Sequence, residues 1–293
     1  MTMALYERMT LIGVGLLGGS LALAARDRGL AGHITGFGRN AETLRRAQDR
    51  GVVDDWSVDI KEAVKDADLV VLCSPVSTFL PRLEEMKAAL KPGCHVTDVG
   101  SVKGGLVRQM EERMPEGVAF VGGHPIAGSE LSGLDAAFKE LYEGARCIVT
   151  PTENTSAAAG SKVIELWTRL GMDVICMDPF EHDRVLGAVS HLPHVVAYAL
   201  MNAVADVKTP NYNNVLEFSG GGLRDITRIA SADPVMWRDI ALTNRDQIVL
   251  LINEFEGALA ELKGLIERGD GEGLTAAFSR SNENRMKLAG INE

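Results

Sequence analysis

Five short runs in this chain carry residue types and spacings that could do chemistry. The first, Gly13-Val14-Gly15-Leu16-Leu17-Gly18, follows an apolar run and precedes an amphipathic one. A phosphate-binding turn needs that context. Gly13 permits the strand-to-helix turn, Gly15 lets the backbone approach a pyrophosphate, and Gly18 lets the helix pack against the strand. The N–H groups at the helix start, around Leu16 and Leu17, and the positive end of its dipole then receive the charge. The second run is Asp98-Val99-Gly100-Ser101-Val102-Lys103-Gly104, and the third is Gly122-Gly123-His124-Pro125-Ile126-Ala127-Gly128-Ser129-Glu130. Both follow strand-like segments, and ligands of open α/β sheets sit outside the carboxyl ends of the strands. His124 stands among small residues, which suits an imidazole reaching an open cleft and a backbone kept clear for something bulky.

The other two runs lie in the second half: Ser190-His191-Leu192-Pro193-His194, and Gly220-Gly221-Gly222-Leu223-Arg224-Asp225-Ile226-Thr227-Arg228. His191 and His194 have the spacing of two metal ligands, but no third and fourth ligand accompany them, so no metal is expected. Arg224 and Arg228, four residues apart, share a helix face and could receive a dianion. His33, His95 and His182 are read as structural. A neutral histidine has an evident use beside a bound dinucleotide. Taking hydride from a secondary alcohol carbon leaves positive charge developing there, so a neutral base must accept the hydroxyl proton.

These residues must be positioned by two halves of different grammar. In the first half, Met9–Val14, His33–Phe37, Leu69–Leu72, His95–Val99 and Ala119–Val121 read as strands. Leu17–Arg28, Ala41–Arg50, Phe79–Leu90 and Gly104–Met114 read as helices between them. This rhythm predicts a Rossmann-like parallel sheet covered on both faces. Arg146–Thr150 and Asp173–Met177 extend it, flanking a helix over 157–171. From about Pro179 the strand signal stops. Val185, Leu186, Val189, Leu192 and Val196 follow helical spacing, with Pro193 forcing a kink or a new first turn. Asp233-Pro234 reads as a helix cap followed by a first-turn proline. The domains are therefore placed at 1–178, dinucleotide-binding, and 179–293, all-helical. The stripe Ile248, Leu251, Ile252, Phe255, Leu259, Leu262, Ile266 exceeds what a small domain buries alone, so a homodimer through the helical half is expected.

The net charge of -10 argues against a nucleic-acid partner or an anionic membrane. An anionic substrate must then meet a local group of arginines. No signal peptide and no uninterrupted membrane-length apolar stretch is seen. The four cysteines contain no C-x-x-C and read as buried reduced thiols of a cytoplasmic protein. For the nucleotide, the end of the second strand is decisive: an acidic residue there selects NAD through the ribose hydroxyls. Gly38 stands at that place and Arg39 follows, which leaves room and a charge for a 2′-phosphate. NADP is favoured on this ground, with NAD or dual use the alternative. Ser74 and Pro75, past the strand Leu69–Leu72, are further cofactor candidates.

On G-G-H-P-I-A-G-S-E, S-H-L-P-H and G-G-G-L-R-D-I-T-R the chain resembles the prephenate/arogenate dehydrogenase family of tyrosine biosynthesis. The resemblance extends from the glycine motif to about Asn244. It implies NAD(P)-dependent oxidative decarboxylation of prephenate to 4-hydroxyphenylpyruvate, or of arogenate to tyrosine. It also implies roles. His124 would accept the ring hydroxyl proton, and Ser101 would hydrogen-bond the same hydroxyl. Arg228 would bind the ring carboxylate, and His194 with Ser190 the side-chain carboxylate. Ser129 and Glu130 would stand at the pocket mouth, with Trp237 on the helical side or simply in the core. Neither the mutase domain nor the regulatory domain that some members carry is expected here. A β-hydroxyacid or 6-phosphogluconate-type dehydrogenase is the rival enzyme, but it uses a lysine in the first helix after the nucleotide domain, and 180–207 has none. A nucleotide sensor without catalysis would not need His124, Ser101 and Arg228 together.

Overall fold

The computed structural model describes residues 4–128, 131–212 and 214–290. In the first half strands and helices alternate: β1 (Tyr6–Ile12), α1 (Leu16–Asp27), β2 (Ala31–Phe37), α2 (Ala41–Asp49), β3 (Asp55–Ser57), α3 (Ile60–Val64), β4 (Leu69–Leu72), α4 (Phe79–Met86), β5 (His95–Asp98), α5 (Gly104–Arg113) and β6 (Ala119–Ile126). Then come β7 (Arg146–Thr150), α6 (Ala157–Arg169) and β8 (Asp173–Cys176). The helical part holds α7 (Pro179–Leu186), α8 (Leu192–Ala205), α9 (Gly221–Thr227), α10 (Pro234–Thr243), α11 (Arg245–Glu267) and α12 (Gly271–Gly290). Two compact units result, Met1–Arg245 and Asp246–Glu293.

Among the described residues eight strands form one sheet in the order β3-β2-β1-β4-β5-β6-β7-β8. It is not wholly parallel, as the alternation suggested. β7 runs antiparallel to β6, pairing His124 with Ile148, whereas β8 returns parallel to β7. Among the described residues the segment between β6 and β7 contains no crossover α-helix, so the chain turns back and β7 runs antiparallel along β6. The short β3 and α3 escaped the sequence reading because three and five residues are too few to show a period.

Alternation along the strands separates two apolar layers. Met9, Leu11, Leu69 and Val71 face one side with Leu21, Ala25, Val163 and Leu166 of α1 and α6. Ile12, Val70, Leu72 and Val96 face the other with Phe79, Leu83, Leu106 and Met110 of α4 and α5. Between these helices the strand ends open toward α7 and α10. Pro193 occupies the first turn of α8, and a π-helical segment, Gly187–His191, joins α7 to it. The widened turn lets a helical run continue past a proline that offers no N–H. Asp233 caps α10 through the amides of Val235 and Met236, ahead of Pro234.

The face of α7 differs from the sequence reading. Val185 and Val189, assigned to the apolar stripe, are exposed. The buried side carries Pro179, His182, Asp183, Leu186 and His191. The run Pro179–Ala205 is long and apolar enough by length and composition to cross a membrane, although Glu181, His182, Asp183 and Arg184 interrupt its start. Cys73, Cys94 and Cys147 are at least partly buried and none of the four cysteines is bridged, but Cys176, at the end of the edge strand β8, is exposed. The expectation of four buried thiols fails there because an edge strand has one side uncovered.

Candidate active site

The glycine turn between β1 and α1 is built by close contacts. Gly13 has φ +107°, a conformation disfavoured for residues with a Cβ, and a Cβ there would lie 3.0 Å from the Cys73 carbonyl oxygen. A Cβ on Gly18 would collide with the Gly13 carbonyl. Gly15 is the contrast, because a Cβ there would meet nothing within 4 Å. Its small size serves no packing in the chain and leaves a cradle over the start of α1. That helix start has no side-chain cap and no acidic residue in its first turn, so its N–H groups remain available to a phosphate. Leu16 and Leu17 are half-buried beside it. Ser74 pairs its hydroxyl with Thr78 at 2.7 Å, and the exposed Pro75 accepts the Thr78 hydroxyl through its carbonyl. At the end of β2, a Cβ on Gly38 would make only ordinary contact with Leu44, and Arg39 is exposed. These residues fit a dinucleotide laid across the ends of β1, β2 and β4.

The loop after β5 is pinned by a buried ion pair. Lys103 is fully buried and donates from Nζ to Asp98 and to the carbonyl of Gly100, the latter at 2.7 Å. Asp98 also accepts the amides of Gly100 and Gly123, at 2.8 and 3.0 Å. One carboxylate thereby ties the Ser101 loop to the strand that carries His124. A buried pair of this kind is a poor source of net stability but a demanding constraint on geometry. It also corrects the reading of Gly122 and Gly123. Their missing side chains do not keep a cleft clear; a Cβ on Gly122 would press on Thr150 and Lys103, and one on Gly123 on Asp98 and Trp167.

His124 is only 8% exposed. Its Nδ1 lies 2.8 Å from Nε2 of His182, and Nδ1 of His182 lies 2.8 Å from Asp183 Oδ1. The same Asp183 oxygen accepts the Lys103 amide at 2.7 Å. His182, read as structural, is buried with both ring nitrogens engaged, and one of its partners is the histidine singled out for chemistry. The clue lay in the sequence, since a His-Asp pair occupies helical positions in phase with Pro179 and Leu186. The pKa of His124 is held well below the ordinary histidine value, first by burial and then by the neighbouring charges of His182, Lys103 and His191. Burial lowers His182 as well, opposed by its hydrogen bond to Asp183.

The helical elements close the other side. Asn244 donates from Nδ2 to the Asp183 carbonyl at 2.9 Å and bonds His191 Nδ1 at 3.0 Å. His191 is buried, its pKa is lowered to about 4 mainly by burial, and its Nε2 finds no partner among the described residues. Trp237 Nε1 is likewise buried without one. His194 stacks on Trp237 with ring centroids 3.6 Å apart, and its Nδ1 donates to the Ser190 carbonyl at 2.9 Å. His191 and His194 thus engage different partners rather than converging on one point. Arg228 lies close enough to His194 to lower its pKa, after burial, the larger cause. Arg224 sits in the last turn of α9 and is exposed; α9 ends at Thr227, so Arg228 is its cap rather than an interior residue. Ser101 and Ser190 are half-buried. Ser129 and Glu130 lie outside the described residues.

A glycine cradle at the carboxyl edge of a Rossmann-like sheet, backed by a buried imidazole held neutral, defines a dinucleotide-dependent dehydrogenase. Comparison with known proteins narrows the class. Residues 21–176 match the family model described as prephenate dehydrogenase, nucleotide-binding domain, and residues 178–280 the one described as prephenate dehydrogenase, dimerization domain. The chain belongs to the prephenate/arogenate dehydrogenase family. It is 32% identical to a cyclohexadienyl dehydrogenase of Zymomonas mobilis, over 98% of this chain and 97% of the relative. It is 36% identical to a prephenate dehydrogenase of Bacillus subtilis, over 96% of this chain and 76% of that protein. Among solved structures it resembles prephenate dehydrogenase from Aquifex aeolicus in complex with hydroxyphenyl propionate and NAD+. That match has a TM-score of 0.91 and 39% identity, covering 96% of this chain and 98% of that one.

Proposed function

We propose that this protein oxidatively decarboxylates prephenate or arogenate in tyrosine biosynthesis, with His124 as the base. The observation that carries this reading is a buried imidazole whose surroundings all favour its neutral form, the form that can accept a proton. The oxidised nicotinamide, when bound, accepts hydride from the ring carbon that bears the hydroxyl. His124 takes the hydroxyl proton, and Ser101, fixed by the Asp98–Lys103 pair, hydrogen-bonds the same oxygen. Arg228, with Arg224 on the same side, holds the ring carboxylate in place until it leaves as carbon dioxide. Because that group departs neutral, a grip on it contributes more to orientation and affinity than to the chemical step. Trp237 forms a wall.

His194 and Ser190 take the side-chain carboxylate, with a condition set by geometry. Its Nδ1–H is spent on the Ser190 carbonyl, so a neutral ring offers only a lone pair at Nε2. It must be protonated to hold a carboxylate. Ser129 and Glu130 keep the role in substrate access that the family resemblance gives them.

Residues 1–178 form the dinucleotide-binding part and 179–293 the helical part, paired with a second copy in a cytoplasmic enzyme. NADP is the preferred cofactor. Gly38 is not small for packing reasons, and Arg39 makes no ion pair among the described residues. Both suit a 2′-phosphate. The test is an assay at 340 nm of prephenate and of arogenate, each with NAD+ and NADP+. Turnover of one substrate is expected, with NADP+ giving the lower KM and Arg39→Ala removing that advantage. No turnover of either substrate, or equal KM values for the two dinucleotides, would overturn the respective part.

A further inference from the structure

The chain Asp183–His182–His124 is polar in one direction only. A carboxylate has no proton to give, so Nδ1 of His182 must carry the hydrogen in the 2.8 Å contact with Asp183. A neutral His182 then has its lone pair on Nε2. That nitrogen faces His124 Nδ1 at 2.8 Å, so His124 must carry its hydrogen on Nδ1. The remaining nitrogen of His124, Nε2, is left with the lone pair. Each step follows from the one before, and the choice of basic nitrogen on His124 is made two residues away.

Asp183 is itself fixed from three directions. Its Oδ1 accepts the Lys103 amide at the start of α5, and its Oδ2 lies where a Cβ on Gly104 would be 2.5 Å away. Its carbonyl is held by Asn244. A carboxylate at the start of the ten-residue helix α5 is favoured by the helix dipole.

We propose that His182 and Asp183 are positioning residues that fix the tautomer of His124 and relay the proton it collects. This rests on the reading of His124 as the base. As the substrate O–H bond breaks, an N–H bond forms at His124 Nε2. The Nδ1–H bond of His124 then breaks and one forms at His182 Nε2. The hydride has gone to the nicotinamide, so the protein gains one proton and no electrons. The cation ends on His182, against Asp183, rather than on His124. That shift matters because the groups facing His124 are Lys103, His182 and His191, none of them negative, whereas those facing His182 include Asp183 and Asp98 beside Lys103.

The test uses the full-length protein with 15N-labelled histidine. In the wild type, NMR is expected to show His124 protonated on Nδ1 and bare on Nε2. His182→Phe removes the acceptor. Dinucleotide affinity, measured by fluorescence titration, should hold, while the tautomers of His124 mix and turnover falls by about 10²-fold, within the range of general-base contributions. His182→Gln keeps an acceptor oxygen for Nδ1–H but cannot carry the proton onward. It should restore the tautomer and only part of the rate, and it decides the matter if His182→Phe does not fold. A His124 protonated on Nε2, or a His182→Gln variant with wild-type turnover and pH profile, overturns the relay. His124→Asn separates the two readings: if it abolishes turnover while both His182 variants match the wild type, the base stands and the relay falls. If His124→Asn retains turnover, the base itself is wrong.

Discussion

At the scale of single residues, two histidines make opposite demands on pH. In the proposed mechanism His124 works neutral, and burial with the charges of His182, Lys103 and His191 keeps its pKa well below the usual value. The sign follows directly: protonation inactivates it, and protonation is delayed to acid. At saturating substrate, kcat should stay level as pH falls through the ordinary histidine range and decline only well below it. An acidic limb centred near pH 6.5 would mean that His124 is solvated as a free histidine is. In the same proposal His194 works protonated, because its Nδ1–H is committed to Ser190. Its pKa is lowered by burial and by Arg228, so the free enzyme holds it neutral at and above neutrality. The ratio kcat/KM should therefore fall as pH rises, toward tenfold per pH unit, while kcat does not. His194→Asn, whose amide donates at any pH, should flatten that fall. A kcat/KM that is flat from pH 6 to 9 would put the side-chain carboxylate on another group.

Elements carry a different test, because the glycines of one turn are small for different reasons. Gly15→Ala adds a methyl into open space in the chain alone. It should leave Tm within a degree or two and weaken dinucleotide binding at least tenfold. Gly18→Ala sets the methyl against the Gly13 carbonyl, so it should cost stability on the order of 1–3 kcal/mol before any ligand is added. If both variants lose stability alike, the cradle over α1 is a packing feature. The same distinction explains what could be read from the sequence. Strands such as Leu69–Leu72 declared themselves because they face two apolar layers, and helices such as 157–169 because one face packs on a single layer, and apolar residues report both directly. The glycine turn was legible because its spacing is tied to one chemistry. His182 and Asp183 were not, because the reading took the apolar residues of α7 as its buried side. In that helix His182 and Asp183 share the buried side with Pro179 and Leu186, and their polar atoms are satisfied by Lys103, Asn244 and His124, residues distant in the chain. The Asp98–Lys103 pair was hidden for the same reason: a lysine in a loop looks solvated until a carboxylate five residues earlier is seen to be buried with it.

At the scale of the molecule, the helical half is left incomplete. Along α11 and α12, Val249, Leu250, Phe255, Leu259, Ile266, Phe278 and Met286 are exposed, and so are Val185 and Val189 of the α7–α8 run. Full burial of one such side chain is worth roughly 1.5–3 kcal/mol. Exposed apolar side chains in such number mark surface that a partner covers, and residues 178–280 match a dimerization domain. The protein should sediment as twice the chain mass at micromolar concentration, and Tm should rise with protein concentration, because association draws the folding equilibrium toward the native state. Phe255→Glu combined with Leu259→Glu should yield a monomer whose Tm no longer depends on concentration. A wild type that sediments as a monomer at tens of micromolar, with a Tm independent of concentration, would leave those side chains without a cover and remove the dimer from the proposal.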